Sequence, residues 1–175
     1  MTLQIVQDLM PAYAKDIKLN LSSLLNSETL LSKQQFWGVM LASAMASKNK
    51  LLLNAIAETA QTHLSPEAIN AAKGAAALMA MNNIYYRFTH LVSEPEYSRM
   101  PANLRMSMMA QPGIDKMDFE LFSLAVSAIN GCGKCIDAHE KVLTSHAMSK
   151  EVIQTAVRIA SIIHAVATVL EAEHS

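Results

Sequence analysis

The chain has 175 residues, of which 51% are apolar and 17% charged, with a formal net charge of −1. A near-neutral chain without a basic run lacks the electrostatic footprint of a nucleic-acid binder, and its length suits a single domain, 1-175, with a substantial core. Mean hydropathy of +0.20 and twelve methionines are high for an isolated domain, so other copies of the chain are expected to cover part of its apolar surface.

Five glycines and five prolines among abundant Ala, Leu and Met point to an all-α chain. Pro11 can open a helix over Ala12 to Leu25, with Leu19, Leu21, Leu24 and Leu25 as its apolar stripe. Ser32-Lys33-Gln34-Gln35 is a capping-box pattern before a buried-looking helix from Phe36 to Ala46, in whose first turn Trp37 reads as core. The pattern breaks at Ser47 to Lys50 and resumes over Leu51 to Thr62. Ser65-Pro66-Glu67 then supplies a cap, a proline at the first helical position and an acid, opening a helix to about Leu91. Its second half carries Asn82, Asn83, Tyr85, Tyr86 and His90, a polarity that suits a groove, a subunit contact or solvent.

From Ser93 to Gln111, Pro95, Pro101 and the following Pro112 limit the chain to short helices. Asp115 can cap a helix from Lys116 to Asn130, a further helix runs to about Met148, and Ser149-Lys150-Glu151 opens the last, ending near Glu171. The N-terminus has no charged-then-apolar leader pattern, and every apolar stretch of spanning length carries Lys, Arg, Gln or His, so no membrane segment is expected. A shift of 84 residues superimposes Ser65-Pro66-Glu67-Ala68-Ile69 on Ser149-Lys150-Glu151-Val152-Ile153, and Ser43-Ala44 on Ser127-Ala128. Two related helical halves, approximately 35-91 and 119-172, are therefore expected, with Lys48 and Leu51 where the second half has its cysteines.

Those cysteines, Cys132 and Cys135, are the only two in the chain and lie in Asn130-Gly131-Cys132-Gly133-Lys134-Cys135-Ile136-Asp137-Ala138-His139. Thiol chemistry needs the thiolate, and a free thiol with a pKa of about 8.5 is mostly protonated at neutral pH. A helix N-terminus, the charge of Lys134 and the imidazole of His139 would each favour ionisation. His139 is four residues after Cys135 and seven after Cys132, so the three side chains share a helix face and can exchange a proton directly or through one water. A zinc site would need a fourth ligand or a water, and no second Cys or His pair exists to close it. Haem attachment would need His where Ile136 stands. A redox dithiol with its own base is the reading these residues favour over metal binding or inert packing, and a CxxC with no other cysteine suits a reducing cytoplasm.

Glu120 is a lone acid in Phe119-Glu120-Leu121-Phe122-Ser123-Leu124-Ala125-Val126. Held against the imidazole it would fix the tautomer and raise basicity. Lys116, Glu120, Ser123 and Ser127 also fall on one helix face, which a solvated stripe would explain equally well. His63, His90, His146, His164 and His174 suggest no site; His164, in Ile162-Ile163-His164-Ala165, reads as a hydrogen-bonded core or interface residue.

The spacing Glu120, eleven residues, Cys132, two residues, Cys135, three residues, His139 resembles the signature of the alkylhydroperoxidase D (AhpD) family, in the carboxymuconolactone decarboxylase-like group. Asp118-Phe119-Glu120-Leu121, Ala125-Val126-Ser127-Ala128-Ile129-Asn130-Gly131-Cys132 and Ala138-His139-Glu140 carry the likeness further, and the length suits a whole member. The resemblance implies an all-α homotrimer and a thiol peroxidase for alkyl hydroperoxides. It implies reduction by protein-bound dihydrolipoamide on a lipoyl-bearing acyltransferase, with electrons also passing to the peroxiredoxin alkyl hydroperoxide reductase C. Neither a bound cofactor nor a metal is implied. Cys135 would be the attacking thiolate and sulfenic acid intermediate. Cys132 would be the proton donor and then the partner in a Cys132–Cys135 disulfide, and Glu120 and His139 the proton relay. Where the family carries histidine between the cysteines this chain has Lys134, which can stabilise a thiolate but shuttles protons poorly at neutral pH. Two other functions remain: a redox-responsive binding subunit without turnover, and a carboxymuconolactone decarboxylase-type enzyme, whose chemistry gives the CxxC no role.

Overall fold

Capping signals divide this helix-forming sequence into nine α-helices and two 3₁₀ turns among the described residues, 2–174, of the computed structural model. They are α1 (Leu3–Asp8), α2 (Lys15–Asn26), α3 (Lys33–Ser47), α4 (Lys50–Ala60), α5 (Pro66–Leu91), α6 (Ser107–Ala110), α7 (Lys116–Ile129), α8 (Gly133–Ser145) and α9 (Lys150–His174). The expected all-α class is what the chain adopts, with no strand among the described residues. Each cap does a visible job. Ser32 and Gln35 form the reciprocal capping box of α3, and the Ser65 hydroxyl accepts from the Ala68 amide below Pro66. Asp115 accepts from both Met117 and Asp118. Glu67 and Glu151 take their own backbone N–H groups and then the Ser65 and Ser149 hydroxyls, which holds both carboxyls below the ordinary glutamate pKa.

The bundle is organised around α3 and α7. A helix apolar all round must be covered on every side, and α3 buries Phe36 and residues 38–44 while α7 buries residues 118–127. Accordingly α3 packs on α5, α7 and α9, and α7 packs on α3, α5, α8 and α9. Gly38 makes the α3–α7 approach possible, because a Cβ there would stand 2.0 Å from Cζ of the Phe122 ring. One turn earlier on each helix, Asp118 accepts from the Gln34 amide at 2.7 Å and the Gln35 amide at 2.8 Å. Register between the two helices is thereby fixed by one steric and one polar constraint, and α7 is the helix that carries Glu120.

Among the described residues α9 is the one helix long and apolar enough to cross a membrane by length and composition. It carries Gln154, Arg158 and His164 and turns Ile153, Ala156, Ile159, Ile163, Val166 and Leu170 into the core against α2, α3 and α7. Part of its apolar length is thus used for packing within the chain.

Several expectations are corrected. The six-residue α1, capped by Thr2 and burying Leu3 and Val6, has too few turns to show a period in the sequence. Residues Ala12–Ala14 form a 3₁₀ turn ahead of α2, and Leu19 is 54% exposed, so the apolar face of α2 is narrower than its leucines suggest. Trp37 is half-buried, not core, and stacks on His63 with ring centroids 4.7 Å apart. His164 has the expected hydrogen-bond contact, Nδ1 3.2 Å from the Ser47 hydroxyl, but is exposed on the chain rather than in its core. Helix ends differ by a few residues: α3 starts at Lys33, α8 stops at Ser145 and α9 continues to His174.

Gly38→Ala should lower stability in urea unfolding by about 2 kcal/mol, the usual cost of overpacking a tight contact. Combining it with Phe122→Leu should return part of that loss, whereas an unchanged midpoint for Gly38→Ala would show that the α3–α7 approach is not set by this glycine.

Candidate active site

The site begins with a turn. The α7 helix ends at Ile129, Asn130 is its C-cap, and Gly131 has φ of +66°, a left-handed conformation that glycine adopts without a Cβ clash. The Gly131 amide bonds the Ala128 carbonyl and the Cys132 amide bonds the Ser127 carbonyl, the pairing of a Schellman motif. Cys132 then serves as N-cap of α8, its carbonyl accepting from the Cys135 and Ile136 amides. One residue therefore ends one helix and begins the next. The CxxC lies at a helix N-terminus, as the sequence implied, and Cys132 and Cys135 are joined as a disulfide with Cα atoms 5.3 Å apart.

Side chains from α5 lock this turn. The Asn83 amide nitrogen donates to the Ser127 hydroxyl at 2.9 Å, and its amide oxygen accepts from Asn130 at 2.9 Å. Arg87 donates to the Asn130 carbonyl at 2.7 Å. Asn83 is buried, so these bonds are made where water cannot replace them cheaply.

The turn also aims α8 so that His139 meets α7. Nδ1 of His139 lies 2.6 Å from Oε2 of Glu120, and the two residues are 6% and 4% exposed. Glu120, Ser123 and Ser127 are all buried. The face that reads equally well as a solvated stripe is instead a polar seam inside the bundle, and Lys116 alone of the four is exposed. An ionised carboxylate only accepts, so with Glu120 charged the imidazole hydrogen sits on Nδ1. Nε2 then faces the thioether of Met79 at 3.3 Å. A thioether is a weak acceptor, so this contact becomes a hydrogen bond only when the ring carries a second proton.

Cys135 and His139 open onto a shared pocket of about 490 Å³, walled by Met79, Asn82 and Tyr86 from α5, Met106, Met109 and Ala110 around α6, and Lys134 and Ala138 from α8. Cys132 is fully buried and forms no part of that wall, whereas Cys135 does. Helix-terminus arguments alone would make Cys132 the more acidic sulfur; access to the pocket singles out Cys135. Lys134 is exposed, its ammonium 3.4 Å from the Thr89 hydroxyl and 5.7 Å from the centre of the Tyr86 ring. The structure therefore brings Cys132, Cys135, His139, Glu120 and Lys134 into one region, with Glu120 reaching it only through the imidazole. Sequence reasoning missed Met79, Met106 and Met109. The polar second half of α5 was the only available signal for its part of the wall, and Met106 and Met109 come from the least regular stretch. Among the described residues no group of three or more His, Cys, Asp or Glu could hold a metal ion.

The model of the carboxymuconolactone decarboxylase family matches residues 95–174. The chain is similar along nearly all its length to proteins described as alkyl hydroperoxide reductase AhpD. One from Hyphomonas neptunium is 56% identical over 173 residues, covering 99% of this chain and 96% of the relative. One from Rhizorhabdus wittichii is 56% identical over 169 residues, covering 97% of each. One from Koribacter versatilis is 53% identical over 173 residues, covering 99% of this chain and 89% of the relative.

Asn83→Ala should cost about 2 kcal/mol in urea unfolding, because it strips partners from the Ser127 hydroxyl and the Asn130 amide together. Amide hydrogen exchange at Gly131 and Cys132 should quicken beyond what the global loss explains. A variant of native stability and native exchange would mean that the turn holds itself.

Proposed function

This chain belongs to the alkyl hydroperoxide reductase AhpD family, within the wider carboxymuconolactone decarboxylase group, and we propose that it reduces organic hydroperoxides with the Cys132–Cys135 dithiol. The observation that carries the proposal is that Cys135 and His139 share one pocket wall while Cys132, its disulfide partner, lies behind it. A sulfur that meets substrate and a second sulfur that closes the disulfide are the two parts a dithiol peroxidase requires.

In the reduced chain His139, backed by Glu120, takes the Cys135 thiol proton. The thiolate attacks the hydroperoxide oxygen that bears hydrogen, forming the S–O bond as the O–O bond breaks, so sulfur loses two electrons. The departing alkoxide leaves as the alcohol with the proton Cys132 gives up. The Cys132 thiolate then displaces hydroxide from the sulfenic acid, and hydroxide takes the proton stored on His139 to leave as water. The cycle closes by exchange with an external dithiol. Protein-linked dihydrolipoamide on a lipoyl-bearing acyltransferase is the proposed donor and no bound cofactor is needed. By the same exchange the dithiol would reduce the disulfide of the peroxiredoxin alkyl hydroperoxide reductase C. Lys134, on the pocket wall and hydrogen-bonded to Thr89, would offer the thiolate a fixed positive charge, and with lysine there the relay rests on Glu120 and His139.

The chain would act as a homotrimer in the cytoplasm. The alanine-rich face of α5 is used inside the chain at Ala71, Ala72, Ala75 and Ala76, so it is not available to a neighbouring copy. Ile84, Phe88 and Leu91 remain exposed along one stripe farther down α5, beside Tyr97. Light scattering should give three times the 19.1 kDa chain mass, with Phe88→Glu dissociating the assembly; a monomer for the unaltered chain would refute this.

Reduced protein should consume cumene hydroperoxide continuously when supplied with dihydrolipoamide, and Glu120→Gln should lower turnover about a hundredfold with the fold retained. His139→Gln should do at least as much, and the double variant little more, because members of one relay are not additive. A single oxidation without turnover would favour a redox-responsive subunit instead.

A further inference from the structure

Two neighbouring asparagines on α5 have opposite fates. Asn83 is fully engaged with Ser127 and Asn130. Asn82 is 5% exposed, stands in the pocket wall beside Cys135 and His139, and has an Oδ1 that is buried without any hydrogen-bond partner. A buried carbonyl oxygen left unpaired is costly, and native interiors rarely tolerate one unless a ligand or a water completes it. Ser43 Oγ and Ser123 Oγ also lack partners, but neither serine forms part of this pocket. Most of the remaining wall is carbon and sulfur, from Met79, Met106, Met109, Ala110 and Ala138. Met79, Asn82 and Tyr86 recur at helical spacing on one face of α5, so the carboxamide lies between a thioether and a phenol ring in the wall that also holds Cys135.

We propose that Asn82 holds the hydroperoxide group of the substrate. The inference rests on the peroxidase reading above and adds to it the residue that touches the reacting oxygens. A hydroperoxide offers one O–H donor and, one atom away, an alkyl-bearing oxygen that can only accept. A carboxamide matches that pair: Oδ1 accepts the terminal O–H, and Nδ2–H donates to the alkyl-bearing oxygen. As the Cys135 sulfur bonds to the terminal oxygen and the O–O bond breaks, negative charge collects on the alkyl-bearing oxygen, where the Nδ2–H bond strengthens. The transferred hydroxyl keeps its hydrogen on Oδ1 and ends as the sulfenic S–OH. Asn82 neither gains nor loses a proton, so the balance of the reaction is unchanged; its contribution is orientation and charge stabilisation.

The test compares two reagents on reduced protein. Cumene hydroperoxide presents the O–O–H group; iodoacetamide reports Cys135 thiolate reactivity without presenting one. In both Asn82→Ala and Asn82→Leu, the second-order rate with cumene hydroperoxide should fall about tenfold or more. The iodoacetamide rate should stay within about twofold of the unaltered chain, as expected when only a peroxide contact is lost. Should one variant fail to fold, the other carries the comparison. Equal losses with both reagents would overturn the proposal by making Asn82 a support for the thiolate or the fold, and unchanged rates with both would overturn it by leaving Oδ1 to a structural water. If the unaltered reduced chain ignores cumene hydroperoxide, the peroxidase reading fails first, and the role of Asn82 with it.

Discussion

A carboxylate and an imidazole 2.6 Å apart, both almost sealed from water, are the contact on which the rest of this molecule depends. An unpaired Glu120 in the middle of α7 would be a large liability, since a buried charge stripped of its partner typically costs 3–5 kcal/mol. His139 relieves that liability only if α8 returns antiparallel to α7 at the right height. The Schellman turn through Gly131, the dual duty of Cys132 and the Asn83 and Arg87 bonds to the turn all serve that requirement. The α3–α7 approach through Gly38 then sets where the whole pair sits in the bundle.

The same geometry separates the two sulfurs by access. Because Cys132 belongs to the turn, it is buried behind the pocket; because Cys135 lies one turn into α8, its side chain reaches the wall that His139 shares. In the proposed reaction this spares the protein a conformational change between attack and closure, since the second sulfur already waits behind the first. Met106 and Met109 make their side of the pocket apolar, and less polar surroundings strengthen charge interactions. Met79 places a poor acceptor against Nε2, so no strong partner competes for the proton that the imidazole would carry.

Much of this was legible in the sequence because the signals are local. The caps Ser32, Ser65 and Asp115 mark helix starts by hydrogen bonds made within three residues, and the cysteine-to-histidine spacing specifies one face of one helix. Glu120 was legible as an anomaly but not as to its side. Polar residues at 116, 120, 123 and 127 have the same period whether they face water or a buried seam, and only the position of α8 decides between them. The pocket was legible in part: Asn82 and Tyr86 lie in the polar half of α5, while Met106 and Met109 arrive through a loop whose path is set by tertiary packing. Trp37 and Leu19 show the converse error, in which apolar character was taken for burial although exposed apolar side chains are common.

In the proposed reaction the pocket feeds a peroxide to Cys135, and Cys132 then closes the disulfide. Its most direct measurement is intact-mass analysis of the reduced chain after one equivalent of cumene hydroperoxide. The expected product has lost two hydrogens per chain and holds one Cys132–Cys135 bond, no retained oxygen and no cross-link between chains, with Cys132→Ser halting at an oxygen-bearing Cys135. Retained oxygen in the unaltered chain, or a trapped sulfenic acid on Cys132 in the Cys135→Ser variant formed as quickly, would contradict it.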